Sequence, residues 1–273
     1  MLTIIRGAGD IASGIALRLW RAGIQVVMTD LAHPTAIRRT VCFSEAIRLG
    51  QTQVEDLTAR CVQTPQEAQA LLKEGVLPVL ADPECRCRSV LQPDALVDAI
   101  LAKRNLGTRI EDAPVVVAVG PGFTAGVDCH AVVETMRGHY LGRVFYTGSA
   151  QENTAVPGLI GGFAGERVLR APAEGIFHAL AQIGDQVKAG DAVGQVEGEP
   201  MVCTIDGVLR GLLPEGTPVY AGMKSGDVDP RNVAEHCATA SDKALAVGGG
   251  VLEAILHLSG TLGSEGGPKP SFN

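Results

Sequence analysis

The sequence predicts an α/β protein: a mostly parallel sheet, then a module of short strands, then one C-terminal helix. Three observations predict it. Residues 4–14 read Ile-Ile-Arg-Gly-Ala-Gly-Asp-Ile-Ala-Ser-Gly, a strand running into a glycine loop and a helix. From there to about residue 150, apolar strand-like runs alternate with helical patterns. After Gly148 the texture changes to Gly, Pro and Val with short strands and no convincing helix. A length of 273 residues fits two domains, or one domain with an appendage.

The elements follow in order. Leu2–Arg6 is a short strand. Asp10–Arg21 is a helix, with Ile11, Ile15, Leu19 and Trp20 at helical spacing. Gly23 stops it, and residues 24–29 form the second strand. A β-α-β unit with so short a crossover implies a parallel pair. Residues 38–43 read as a strand, Ser44 as the cap of a short helix, and 51–62 as another strand. Thr64 caps the next helix, with Glu67 three residues on as a capping box. Residues 76–81 form a buried strand ending in Asp82-Pro83, and 94–103 a helix. Residues 114–119 are the most apolar strand, broken by Gly120-Pro121-Gly122. Ser241 caps a last helix, Asp242–Leu258, in spite of Gly248-Gly249-Gly250. Three glycines cost an isolated helix about 3 kcal/mol relative to alanine, so this helix must press closely against something.

Composition narrows the function classes. The chain is 46% hydrophobic and 19% charged, with a formal net charge of -7. Such a chain is globular, not disordered, and an acidic surface without a basic stripe excludes non-specific nucleic-acid binding. No apolar run approaches the roughly 20 residues of a spanning helix, so no membrane partner is expected. The first residues form a strand with no basic n-region, so no signal peptide is expected. The seven cysteines, an odd number, then read as reduced thiols, and the expected location is cytoplasmic.

Gly7, Gly9 and Ala12 occupy the spacing G-x-G-x-x-A between a strand and a helix, and Asp30 ends the following strand. This is a nucleotide-binding fingerprint, and it makes the first domain Rossmann-like. Gly7 permits the tight turn, Gly9 lets a pyrophosphate approach the backbone, and Ala12 allows close helix–strand packing. The helix N-terminus favours an anion. Asp30 would accept bonds from ribose hydroxyls. Asp10 either caps the helix or competes with the anion.

A second loop, Gly120-Pro121-Gly122-Phe123-Thr124-Ala125-Gly126-Val127-Asp128-Cys129-His130, follows the strongest strand. Gly120, Gly122 and Thr124 are candidates to hold a phosphate or pterin group. Asp128 or His130 would do acid/base work, or bind a metal; the plain alternative is a tight turn with a helix cap. Cys85 and Cys87, with Cys129, are candidates to handle sulfur or selenium, against the reading that they are loop cysteines without a role. Their spacing is not that of a zinc knuckle, and no metal centre is expected. Arg38-Arg39 would pair with phosphates or lie in a solvated loop. The charges of residues 222–231 would dock on the first domain or form a polar turn.

In the β-rich region, residues 183–193 and 206–211 each resemble a segment of a biotinyl/lipoyl-type domain, a flattened barrel of short strands joined by Gly-Asp turns. Carrier domains place a lysine at the hairpin tip between these segments. Here the tip is Glu197-Gly198-Glu199-Pro200, so no covalent biotin or lipoate is expected.

Four phrases together carry a resemblance to one family: Ile-Ile-Arg-Gly-Ala-Gly-Asp-Ile-Ala-Ser-Gly, Gly-Pro-Gly-Phe-Thr-Ala-Gly-Val-Asp-Cys-His, Gly-Asp-Val-Asp-Pro-Arg, and Ser-Asp-Lys-Ala with Gly-Gly-Gly-Val-Leu-Glu-Ala. Over about residues 1–258 the chain resembles the YqeB family, accessory proteins associated with selenium-dependent molybdenum hydroxylases. The resemblance implies maturation or cofactor handling for such an enzyme, and it brings no catalytic residues. It is loosely similar to the accessory proteins that deliver sulfurated molybdenum cofactor, which also use a Rossmann-like domain.

The expected organisation is a Rossmann-like nucleotide-binding domain (1–156), a biotinyl/lipoyl-like module without carrier lysine (157–232), a helix packing back on the first domain (233–258) and a flexible tail (259–273). The expected ligand is a nucleotide, NAD included, or a molybdopterin dinucleotide. The expected partner is the molybdenum hydroxylase or its cofactor-maturation machinery. The alternatives are an NAD(P)-dependent oxidoreductase, for which no Tyr-x-x-x-Lys pair is found, and a non-catalytic scaffold docking on the hydroxylase.

Overall fold

A computed structural model describes residues 1–154 and 158–261. The expected boundary at 156/157 and most of the expected tail lie outside these residues. The chain divides into two compact units. One comprises Met1–Pro34, Phe43–Asn153 and the described residues from Ser241 onward; the other comprises Thr35–Cys42 and residues 154–240.

The first unit is built on a nine-stranded sheet. Its elements are β1 (Leu2–Arg6), α1 (Asp10–Arg21), β2 (Gln25–Thr29), α2 (Glu45–Leu49), β3 (Gln51–Val54), β4 (Leu57–Val62), α3 (Pro65–Lys73), β5 (Leu77–Leu80), α4 (Arg88–Leu91), β6 (Ala95–Asp98), β7 (Val115–Val119), β8 (Ala131–Val133), β9 (Val144–Phe145) and α5 (Asp242–Leu258). The strand order is β3-β4-β5-β2-β1-β6-β7-β8-β9. The inner pairs are parallel, and both edge strands, β3 and β9, are antiparallel. β7 reads Val-Val-Val-Ala-Val and every residue is buried, as a strand covered on both faces requires.

Helix α1 needs no special pleading: eight of its residues are buried, including Ile11, Ile15 and Leu19. It packs on α5, whose cap is the Ser241 hydroxyl accepting from the Ala244 N–H. The glycine run of α5 has its reason here. A Cβ at Gly248 would lie 2.9 Å from the Gly14 carbonyl of α1, and one at Gly250 would strike the Gly142 carbonyl. Gly249 faces open space. Helix α3 carries the cap read from sequence: Thr64 Oγ1 accepts from the Glu67 N–H at 3.2 Å, and Glu67 accepts from the Gln63 N–H at 2.9 Å.

The fold-class expectation needs correcting. The expected Rossmann-like sheet, with a helix in each crossover, does not form. The sheet is mixed, and the connection from β6 to β7 contains only a 3-10 turn, Ile110–Asp112. Residues 95–98, expected to be helical, are strand β6, because each is buried between β1 and β7. Residues 51–62 are a hairpin that turns at Glu55 with φ 52°. Residues 39–41 are a 3-10 turn, not part of a strand.

The second unit holds β10 (Val168–Arg170), β11 (Gly175–Ala179), β12 (Gln186–Val187), β13 (Ala192–Val196), β14 (Glu199–Val202), β15 (Gly207–Leu212), β16 (Pro218–Val219) and β17 (Lys224–Asp229). They form two separate four-stranded antiparallel sheets, β10-β17-β15-β12 and β14-β13-β11-β16. A biotinyl/lipoyl barrel is therefore not what these turns build. The Gly-Asp turns fix hairpin geometry, but they leave the pairing of hairpins to the apolar core of Phe177, Val193, Val196, Leu209, Leu212 and Val228. Residues 35–42 belong to this unit, with Ile37 in that core and its carbonyl accepting from the Leu212 N–H at 2.8 Å.

Candidate functional site

The large sheet has a switch point. From β1 the chain runs out through β2 to the edge hairpin β3-β4, returns to β5 beside β2, then crosses to β6, β7 and β8 on the other side of β1. Open α/β sheets bind ligands outside the carboxyl ends of strands at such a point. The candidate site therefore lies beyond β1 and β6, where Arg6, Gly7 and Asp98 end their strands.

Gly7 turns with φ +107°, and its N–H donates to the Thr29 carbonyl at 2.7 Å. A Cβ there would lie 2.7 Å from the Ala99 carbonyl oxygen, so glycine is required on two counts. Gly9 is the N-cap residue of α1, with extended backbone and no side-chain cap. A Cβ on it would meet nothing within 4 Å, so the backbone is open to approach. Ala12 is buried in the helix. Asp10 Oδ1 accepts from the Ile11 N–H at 2.8 Å, which puts a carboxylate in the first turn.

Asp30 is turned onto the loop. Its Oδ2 accepts from the Ala8 N–H at 2.8 Å and its Oδ1 from the Leu31 N–H at 2.7 Å. Burial pushes this carboxyl up from its ordinary value, against the two amide bonds. Both oxygens keep lone pairs for a further donor such as a ribose hydroxyl.

Sequence reasoning missed the polar group beside the loop. The Arg6 guanidinium is held by four acceptors: Pro83 O at 2.9 Å, Leu106 O at 3.1 Å, Thr108 Oγ1 at 2.9 Å and Asp98 Oδ2 at 3.5 Å. The Thr108 hydroxyl in turn donates to Asp98 Oδ2 at 2.6 Å. Burial raises the Asp98 carboxyl. A cleft of about 260 Å³ opens on this group, lined also by Glu84, Cys85, Arg88 and Asp112. The signal available was an arginine closing an apolar strand, directly before the first glycine.

The second glycine loop sits at the end of β7. Gly120 and Gly122 both have positive φ, and the Gly120 N–H donates to Val133 O at 2.9 Å. The loop polar groups serve the loop itself. Asp128 Oδ2 accepts from the Thr124 N–H at 2.7 Å, and Asp128 Oδ1 from Asn105 Nδ2 at 3.3 Å. Thr124 Oγ1 lies 3.2 Å from Ser149 Oγ. His130 Nδ1 accepts from the Val116 N–H at 3.0 Å, which fixes the ring against β7.

The three candidate cysteines are core residues. Cys85, Cys87 and Cys129 are all buried in one apolar cluster. Burial pushes the Cys129 thiol up to about 12, and a hydrogen bond with Cys85 together with burial raises that of Cys87. A thiol so placed is a poor nucleophile. Cys85 does line the cleft wall, with φ +53°. Among the described residues no group of three or more His, Cys, Asp or Glu side chains could hold a metal ion. No described helix is long and apolar enough to cross a membrane.

A protein of Escherichia coli (strain K12), named as uncharacterized protein YqeB, is 52% identical over 257 residues, which is 94% of this chain. The chain spans about half the length of that relative, 48%. No family profile matches the chain. Among solved structures, an aspartoacylase family protein from Mesorhizobium loti superposes with a TM-score of 0.28 and 12% identity, over 83% of this chain and 84% of that one. A succinylglutamate desuccinylase from Silicibacter sp. TM1040 gives 0.25 and 13%, over the same shares. Both superpositions are loose.

Proposed function

We propose that the sheet unit binds a phosphate-bearing nucleotide or a molybdopterin dinucleotide at the carboxyl ends of β1 and β6, as part of an accessory protein of a selenium-dependent molybdenum hydroxylase. The observation that carries the binding reading is the open backbone at Gly9. Gly9, the N-cap of a twelve-residue helix, is extended, and a Cβ on it would meet nothing within 4 Å, at the switch point of the sheet. Gly7, Gly9 and Ala12 fit a phosphate: Gly7 makes the turn, Gly9 lets the phosphate approach the backbone, and Ala12 keeps the helix close. Asp30 fits a ribose hydroxyl. The Arg6, Thr108 and Asp98 group supports the floor of the neighbouring cleft. Gly120, Gly122 and Thr124 stand at the end of β7, two strands from β1, as candidates for the second half of the ligand. The pathway assignment rests on the kinship with YqeB and on the four sequence phrases that carry it.

The ligand is cargo or effector, and no step of chemistry is assigned to this chain. Asp10 is a like charge beside the incoming phosphate. Replacing it, Asp10→Asn, should tighten binding severalfold. Calorimetric titration of the full chain with molybdopterin cytosine dinucleotide, NAD and AMP tests the reading. Saturable binding of at least one is expected, weakened tenfold or more by Gly9→Ala. That variant should fold normally, since its Cβ enters open space on extended backbone. Folded wild-type protein that binds none of the three would sink the proposal. Co-purification with the cognate hydroxylase tests the pathway separately.

A further inference from the structure

The cleft beside the glycine loop has a chemistry that the phosphate reading does not use. Every residue that lines it belongs to the sheet unit. Its floor is closed: Arg6 donates to Pro83 O, Leu106 O, Thr108 Oγ1 and Asp98 Oδ2. Its wall is not. The chain turns left-handed at Cys85, φ +53°, and the carbonyls of Glu84 and Cys85 both accept from Arg88 Nη1, at 3.2 and 3.0 Å. Those two bonds fix the plane of the guanidinium. Arg88 Nη2 stands 3.1 Å from Asp112 Oδ1. The Arg88 Nε–H has no acceptor among the described residues, and 35% of the side chain is exposed. Asp112 Oδ2 accepts from the Arg109 N–H at 2.9 Å, and Oδ1 keeps a lone pair for a further donor.

What the cleft can hold follows from charge, size and shape. Its charged lining is balanced, Arg6 and Arg88 against Glu84 and Asp112, with Asp98 bonded to Arg6. A phosphate finds no excess positive charge there. The volume of about 260 Å³ lies below the roughly 300–1,000 Å³ of sites that enclose a drug-sized ligand, so the cleft takes one ring system and not a dinucleotide. Leu96 and Leu106 also line it, beside Cys85. Apolar walls suit the faces of a flat ring, whereas a sugar, polar all round, would leave hydroxyls unpaired against them. The Arg88 Nε–H and Asp112 Oδ1 suit a ring edge that carries an acceptor next to a donor.

We propose that this cleft is a subsite for a flat, uncharged heterocycle of the nucleobase kind, whose ring packs on Leu96 and Leu106 and whose edge bridges Arg88 Nε and Asp112 Oδ1. Both purines carry such an edge: a keto oxygen beside a ring N–H in guanine, a ring nitrogen beside an amino group in adenine. The subsite reads a base, not a phosphate, and it stands whether or not the Gly9 backbone takes an anion.

Calorimetric titration of the full chain with guanosine, adenosine and ribose 5-phosphate tests it. Saturable binding of at least one nucleoside is expected, weakened tenfold or more by Arg88→Ala and unchanged by Gly9→Ala. The tighter nucleoside identifies the edge, guanosine the keto edge and adenosine the amino edge, and either supports the subsite. Ribose 5-phosphate carries no base and reports on the Gly9 loop, so failure of the loop and failure of the cleft are separately visible. Folded wild-type protein that binds neither nucleoside overturns the proposal, as does nucleoside binding undiminished in Arg88→Ala. Should Arg88→Ala fail to fold, Arg88→Lys, which keeps a cation beside Asp112 and removes the Nε–H, decides in the same way.

Discussion

The two units treat charge in opposite ways. In the sheet unit the buried charges stand apart from one another: Arg6 meets Asp98 and Thr108, and Glu134 accepts from the backbone N–H groups of Thr135, Met136 and Gln151. The apolar core does the holding, and the carboxyl edge is left with open backbone. In the antiparallel unit two buried aspartates sit among four arginines, between strands that give up side chains at Gly211 and Gly226. A core built on β-branched residues tolerates an open edge because nothing charged depends on it. A core built around ions depends on every member, since a charge left behind is costly.

That contrast can be broken or sharpened by four measurements. The largest effect is expected at Asp227→Asn. It leaves Arg38 and Arg167 facing a neutral amide in the interior, and should cost about 3–5 kcal/mol in denaturant unfolding of the second unit. A loss below about 1 kcal/mol would show that the cluster is solvated and that the contrast is false.

Next is Gly7→Ala in the sheet unit. Positive φ and a Cβ against the Ala99 carbonyl together should cost about 2 kcal/mol, and should abolish ligand binding at the loop. Gly9→Ala, by comparison, should leave the melting temperature at or slightly above that of wild type.

Third is acid. Burial alone would raise Asp227 and Asp229, but the arginines beside them hold both below the ordinary carboxylate value. Their contribution to stability is present above about pH 4 and is lost as the pH falls below it. Asp30 and Asp98 are raised by burial, so their ionisation costs stability as the pH rises through that range, and acid relieves the cost. Hydrogen exchange between about pH 5 and 3 should therefore show protection lost first in the antiparallel unit. The reverse order would mean that the cluster does not govern that unit's stability.

The smallest effect belongs to the surface. Arg86 and Glu84 pair at 2.5 Å but are 79% and 64% exposed, so Arg86→Ala should not move the melting temperature measurably.

Much of the local structure was legible in the sequence. The bounds Asp10–Arg21 and Asp242–Leu258 were readable from apolar spacing and the Ser241 cap. The Thr64 cap was readable from a four-residue pattern, although Glu67 closes back on the Gln63 N–H and not on that of Thr64, as a capping box would. Gly7 was readable because a strand, a turn and a helix follow one another without interruption. These features are decided within one or two turns of chain, where the interacting groups are neighbours in sequence.

What tertiary structure alone decided is of another kind. Residues 95–98 look helical in isolation and become a strand because β1 and β7 bury them from both sides. Asp30 turns inward because the Ala8 N–H, 22 residues away, offers it a bond. Arg6 finds Thr108 across 102 residues, and Arg38 finds Asp227 across 189. The hairpin turns of the second half announced themselves, yet whether their strands closed a barrel or lay as two sheets depended on the packing of residues far apart. The sequence by itself determined the glycine loop, the helix caps and the turn chemistry, because backbone torsions and short-range hydrogen bonds set them. It did not determine which strands pair or which charges meet, because those contacts come from burial, a property of the whole unit and of no single segment.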